Sequence, residues 1–126
     1  MHRTKIYGHR GASAYAPENT MEAFKMAYEM GADGIELDVQ LTLDGQLVVI
    51  HDETVNRVSD GAGFVKDMTL GELKSLQFNR THPEYRDARI PLLEEVLAFF
   101  SQRKFWINIE LKNSVFSNDG LEAMTL

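Results

Sequence analysis

Ile35, Leu37, Val39 and Leu41 alternate strictly with Glu36, Asp38 and Gln40, and this run constrains the chain more than any other feature. A period of two is the repeat of a β-strand, whose successive side chains point to opposite faces. Gly34 to Leu41 therefore reads as a strand with one apolar and one polar face. Around it the pattern alternates. A short strand is predicted at about Ile6 to His9, stopped by Gly11. Pro17 then precedes Asn19-Thr20-Met21-Glu22, a helix start with Asn19 as cap and Glu22 at the capping-box position. Met21, Phe24, Ala27 and Tyr28 recur at helical spacing, and Gly31 ends that helix. A turn at Asp44-Gly45 leads to Leu47-Val48-Val49-Ile50, an apolar run that fits a strand buried on both faces and ends at His51. Asp52 to Phe64 reads as a loop, and Thr69 to Leu76 as a short helix capped by Thr69 with Glu72 at the box position. After a polar stretch from Gln77 to Arg89, Leu93, Val96, Leu97 and Phe100 mark a helix over Leu92 to Ser101. Trp106 to Lys112 is the last clear strand, followed by polar residues and by Leu121 to Leu126, which read as the opening of a further helix. Strands alternating with helices imply a mainly parallel α/β arrangement.

Composition narrows the chemistry. Thirteen Lys and Arg stand against 19 Asp and Glu, for a net charge of -6, and no basic run offers a surface for nucleic acid. There is no cysteine, so a metal here must be held by oxygen or imidazole. The first residues run directly into the Ile6 to His9 segment, with no apolar core of a signal peptide, and no stretch approaches a membrane span. The expectation is a soluble, cytoplasmic chain forming one domain over residues 1–126, without repeats or linkers.

Glu36 and Asp38, two apart on one strand, present two carboxylates on one face. Such a pair suits a hard divalent cation, which offsets the cost of placing like charges together, and it equally suits an ordinary solvent-facing strand. Glu110 and Lys112 also share a face. They read either as a third carboxylate with a cation for a phosphate oxygen, or as an exposed ion pair of little energetic weight. His9 and His51 each close a predicted strand at its carboxyl end, where α/β sheets and barrels place their reactive groups. Two histidines there can act as general acid and base, although a single strand-end histidine is commonly structural. Arg10 would point away from His9 in a straight strand, but a bend at Gly11 would let both enter one site, where a guanidinium suits a phosphate. His2 and His82 receive no role, Asp52 is read as capping or turning the chain, and Phe24, Phe99, Phe100 and Trp106 as core packing.

Taken in order, His9-Arg10-Gly11, Pro17-Glu18-Asn19-Thr20, Gly34-Ile35-Glu36-Leu37-Asp38-Val39, His51-Asp52 and Ile109-Glu110-Leu111-Lys112 resemble the glycerophosphodiester phosphodiesterase family. Met68 to Leu73 and Ile90 to Leu97 look like that family's connecting elements. The resemblance implies a TIM-type (β/α)8 barrel that hydrolyses small-molecule glycerophosphodiesters, such as deacylated phospholipids, to glycerol 3-phosphate and an alcohol. It implies Glu36, Asp38 and Glu110 as ligands of a divalent cation, Ca2+ or Mg2+. It implies His9 and His51 as general acid and base, and Arg10 and Lys112 as phosphate-binding groups.

A closed barrel of this kind needs eight strand-helix units and typically ~250 residues, whereas about four strands are predicted here. The expectation is the amino-terminal half of the barrel, with its carboxyl-terminal half absent. Open sheet edges and an uncovered apolar interior would then favour self-association or a complementing chain. Two other readings stay open: an inactive truncated fragment that self-associates, and a phospholipase of the sphingomyelinase D type. The lack of cysteines and of an export signal argues against that secreted class.

Overall fold

The computed structural model describes residues 4–111. The expectations for Lys112, for the segment after it and for His2 lie outside the described residues. Among those described, the order is β1 (Tyr7–His9), α1 (Met21–Glu29), β2 (Gly34–Leu41), β3 (Leu47–Val49), a 3-10 turn (Val65–Asp67), α2 (Leu70–Lys74), α3 (Leu93–Phe100) and β4 (Trp106–Leu111). No described helix is long and apolar enough to cross a membrane.

β2 is the strand on which the others assemble, as its alternation requires. β1 runs parallel to its first half, pairing Tyr7 with Gly34 and His9 with Glu36. β4 runs parallel along Gly34 to Val39, pairing Glu36 with Asn108 and Asp38 with Glu110. β3 is different: it returns antiparallel, setting Val39 to Leu41 against Val49 to Leu47. Its turn is closed by Thr42, whose amide donates to the Gln46 carbonyl and whose hydroxyl accepts from the Gln46 amide, with Gly45 at φ 77°. Four strands form as expected, but only three are parallel. The five residues between β2 and β3 permit a hairpin and are too few for the crossover that a parallel pair needs.

Two apolar clusters follow from the strand faces. Ile35, Leu37 and Val39 of β2 pack with Leu47 and Val49 of β3 against Phe24 and Ala27 of α1 and Leu93, Val96 and Phe100 of α3. Val48 and Ile50 belong to a second cluster with Val55, Val58, Val65, Leu73, Phe78 and Ile90. β3 is thus buried on both faces, which is what its unbroken apolar run predicts. Each large side chain so buried contributes about 1.5–3 kcal/mol.

Two local expectations are corrected. Thr20, and not Asn19, caps α1: its hydroxyl accepts from the Ala23 amide at 3.3 Å and donates to the Pro17 carbonyl at 2.6 Å. Trp106 is 57% exposed and takes no part in the core, with the Lys5 ammonium 3.9 Å from the ring centroid. Period two explains this. Trp106 shares a face with Asn108 and Glu110, opposite Ile107, Ile109 and Leu111, which pack on the core. The Thr69 and Glu72 capping box of α2 forms as predicted.

The sheet therefore has an apolar outer face under α1 and α3 and a second face that bears His9, Glu36, Asp38, Asn108 and Glu110. Among the described residues that second face is largely polar, and it also bears the exposed Tyr7 and Trp106.

Candidate active site

The amino-acid pattern at the end of β1 bends the chain twice. The Arg10 amide donates to the Glu36 carbonyl at 2.7 Å, which carries the β1 to β2 ladder one residue past His9. Arg10 itself has φ 56°, and Gly11 follows at φ 82°. A methyl group at Gly11 would stand 2.7 Å from the Ala23 backbone, so α1 can approach only because the residue is glycine. The expected bend is present, and it turns Arg10 back toward β2. Its Nε lies 3.7 Å from Asp38 Oδ2, while His9 Nε2 lies 3.5 Å from Glu36 Oε1. His9 and Arg10 thus face the two neighbouring carboxylates of β2.

Asn19 locks the far side of this bend. It is buried in a left-handed conformation at φ 56°, which asparagine tolerates better than most residues. Its amide donates to the Arg10 carbonyl at 2.9 Å, and its Nδ2 donates to Asp38 Oδ2 at 3.2 Å. Asn19 is a brace for Asp38.

His51 arrives from β3. Gln40, at the end of β2, donates from Nε2 to the carbonyls of Ile50, His51 and Asp52 at 3.3, 3.1 and 2.7 Å. The backbone around His51 is held from one side chain. The imidazole Nδ1 lies 3.0 Å from Asp52 Oδ1. Asp52 does not cap a turn, as its place after the strand suggests; it stands between His51 and Arg57. Arg57 in turn makes a paired contact with Glu18, Nη1 to Oε1 and Nη2 to Oε2, both at 2.9 Å. Glu18 also accepts from Arg10 Nη1 at 3.3 Å. A continuous polar chain therefore runs from His51 through Asp52, Arg57, Glu18 and Arg10 to Asp38.

The charges along it are consistent with those contacts. Hydrogen bonds from Arg57 hold the Asp52 carboxyl down at about 2 against the effect of burial, with His51 adding to the lowering. Burial would raise Glu18, but the hydrogen bond and charge of Arg57, with the charge of Arg10, lower it overall. Glu18 and Asp52 together raise Arg57. All three are ionised at neutral pH.

Of the expected site residues, His9, Arg10, Glu36 and Asp38 are in direct or near contact, and Glu110 lies level with Asp38 on β4. His51 joins them through the Asp52 and Arg57 chain. Among the described residues, no three His, Asp or Glu side chains converge closely enough to hold a metal ion as they stand. The donor chemistry nevertheless fits a hard cation. Among the described residues, Glu18, Asp38 and Asp52 are paired with Arg10 and Arg57 while Glu36 and Glu110 lie nearby on the same sheet face, and an oxygen-rich excess of carboxylates is what a divalent ion offsets. Among the described residues, two buried polar atoms beside Asp38, Arg10 Nε and Asn19 Oδ1, have no hydrogen-bond partner.

A mainly apolar groove of about 320 Å3 borders β1 between Tyr7, His9, Ala12, Tyr15, Ala27 and Met30, so one wall of it is a candidate site residue. His82, left without a role, uses its ring to reach the Ala14 carbonyl at 3.2 Å and steadies the turn before α1.

Sequence reasoning missed Arg57 and the bracing role of Gln40. Neither carries a periodic signal, since one is a loop arginine and the other an apparently ordinary polar position on the alternating strand. Glu18 and Asn19 do stand in a quoted motif, but nothing in their spacing tells that they reach Arg57 and Asp38.

A family model described as the glycerophosphoryl diester phosphodiesterase family matches residues 9–124. A glycerophosphodiester phosphodiesterase of Caldanaerobacter subterraneus is 52% identical over 121 residues, covering 95% of this chain and 50% of that protein. A Bacillus altitudinis protein of the same name is 54% identical over 123 residues, covering 94% of this chain and 49% of its own length. The chain thus spans about half the length of the curated relatives it matches. Among solved structures, a glycerophosphodiester phosphodiesterase from Agrobacterium tumefaciens superposes with a TM-score of 0.82 at 41% identity, over 86% of this chain and 47% of that one. An Oleispira antarctica phosphodiesterase, solved in complex with the product sn-glycerol-3-phosphate, gives a TM-score of 0.82 at 37% identity, over 86% of this chain and 44% of that one. The fold is that of a partial phosphodiesterase barrel.

Proposed function

Because the chain belongs to the glycerophosphoryl diester phosphodiesterase family, we propose that it supplies the catalytic groups for hydrolysing glycerophosphodiesters to glycerol 3-phosphate and an alcohol. The observation that carries this reading is the row of groups on one face of three parallel strands. His9 stands beside Glu36, and Asp38 beside Glu110, with Arg10 turned in over Asp38.

His9 and His51 are the proton-transfer groups. One takes the proton of the attacking hydroxyl, and the other gives a proton to the leaving alkoxide. The attacking group is the substrate's own glycerol hydroxyl, giving a cyclic phosphate that water then opens while the histidines exchange roles. Arg10 meets the phosphoryl oxygens with its guanidinium, and Lys112, outside the described residues, adds a second positive charge. Glu36, Asp38 and Glu110 would hold the divalent cation, Ca2+ or Mg2+, which when bound polarises the phosphoryl oxygens.

A second reading is favoured by the exposure of Tyr7, Trp106 and the polar face: a chain that self-associates and binds metal without turnover. One experiment separates the two. The purified chain is sized, then incubated with glycerophosphocholine or glycerophosphoethanolamine in Ca2+, in Mg2+ and in chelator, with release of glycerol 3-phosphate measured. Metal-dependent release that falls about 10²–10⁴-fold in His9→Ala is the expected result. No release from well-folded chain in either metal would overturn it in favour of the second reading.

A further inference from the structure

Arg57, like its partners Glu18 and Asp52, is charged and has no part in the proposed reaction, and its bonding says what it does. Nε donates to Asp52 Oδ2 at 2.9 Å and Nη2 to Asp52 Oδ1 at 3.1 Å. Nη1 and Nη2 donate to the two oxygens of Glu18, each at 2.9 Å. Four of the five N–H groups of a guanidinium are therefore committed to protein carboxylates. No two-pronged face remains for a phosphate. Arg57 works on the protein.

Its target is the imidazole of His51. Asp52, held ionised by Arg57, can only accept a hydrogen bond, so the nitrogen 3.0 Å from its Oδ1 must carry the proton. That nitrogen is His51 Nδ1. It is protonated in the neutral ring and in the cation alike, which leaves Nε2 as the atom that gains and loses a proton. Gln40 holds the three carbonyls around His51 but makes no contact with the ring, so the backbone brace alone leaves the tautomer open. Glu18 fixes the other end of Arg57 and is itself shared with Arg10, so the same clamp joins the histidine to the phosphate-binding arginine.

We propose that Arg57 is a positioning residue for this site: by holding Asp52 against His51 Nδ1, it fixes the ring as the tautomer that presents Nε2 for proton transfer. The inference rests on the reading of His51 as an acid/base group, and its test has a readout independent of turnover. Nitrogen-15 NMR of the His51 ring, taken where the imidazole is neutral, should show the Nδ1–H tautomer dominant in the wild-type chain. In Arg57→Ala it should move toward Nε2–H, and in Arg57→Lys, which keeps the charge without the fork, to a position between. In parallel, kcat should fall roughly 10–100-fold in Arg57→Ala with KM within about twofold, and recover in part in Arg57→Lys. An unchanged tautomer in folded Arg57→Ala and Arg57→Lys would overturn the inference. So would a shifted tautomer with undiminished kcat. Failure of the hydrolase reading looks different: the wild-type chain would release no product although its His51 tautomer still answered to Arg57.

Discussion

The two faces of β2 are built from alternate residues of one strand, yet they are held together in opposite ways. On the outer face Ile35, Leu37 and Val39 are fully buried among α1, α3 and β3. On the other face Glu36 meets His9, and Asp38 meets Arg10 and Asn19, with the His9 side chain 66% exposed. One face supplies the burial that makes the fold, and the other stores unmet charge and donor capacity. The comparison teaches that a site of like charges can be carried on one face of a strand when the opposite face of the same strand anchors it.

Removing the anchor should have the largest effect. Leu37→Ala is expected to cost about 2–5 kcal/mol, measured as a shift in urea midpoint, because the cavity lies between two helices and two strands. The polar face is not loose everywhere, and Gly34 breaks the contrast. A side chain there would overlap the Trp106 carbonyl oxygen and stand 2.7 Å from its Cβ, so Gly34→Ala should push β4 away from β2. A loss of about 1–3 kcal/mol is expected, with the amides of β4 losing their hydrogen-exchange protection first.

Acid sharpens the comparison, since the polar network depends on ionised carboxylates and the outer face does not. The Asp52 carboxyl is lowered from 3.8 to about 2 in the folded chain, so the unfolded chain binds the proton more readily. Its contribution is full above about pH 4 and is lost as pH falls from about 4 to about 2. Solvent reaches the Arg57 pair, so the contribution is about 1 kcal/mol. Asp52→Asn should flatten the urea-midpoint profile across that window; an unaltered slope would show that the pair carries no stability.

The smallest effect is expected next door to the largest. Glu36→Gln should leave stability within about 0.5 kcal/mol, since the group is partly exposed and makes one long contact with His9. What it should remove is any rise in melting temperature that Ca2+ or Mg2+ produces in the wild-type chain. A Glu36→Gln chain as strongly stabilised by metal as the wild type would remove Glu36 from the proposed ligand set.

Much of this was legible in the amino acids because it is local. The alternation of Gly34 to Leu41, the unbroken run of Leu47 to Ile50 and the Thr69 to Glu72 box each map onto the element observed, since period and capping act within a few residues. The errors came where local rules compete. Asn19 and Thr20 are both good caps, and the choice went to Thr20 because the Asn19 side chain is drawn to Asp38, 19 residues away. Trp106 reads as core by its size, but its place in the strand period puts it on the polar face.

By itself, then, the sequence determined most of the described strands and helices and the two faces of β2, and it nominated the carboxylates, histidines and Arg10 as candidate site residues. Periodicity and ordered motifs carry that information within short windows. Only the tertiary structure decided the turning of Arg10 toward Asp38 and the chain from His51 through Asp52, Arg57 and Glu18. Those contacts join residues as far as 39 positions apart, and a hydrogen bond of 2.9 Å depends on where two backbones lie in space, which no spacing along the chain encodes.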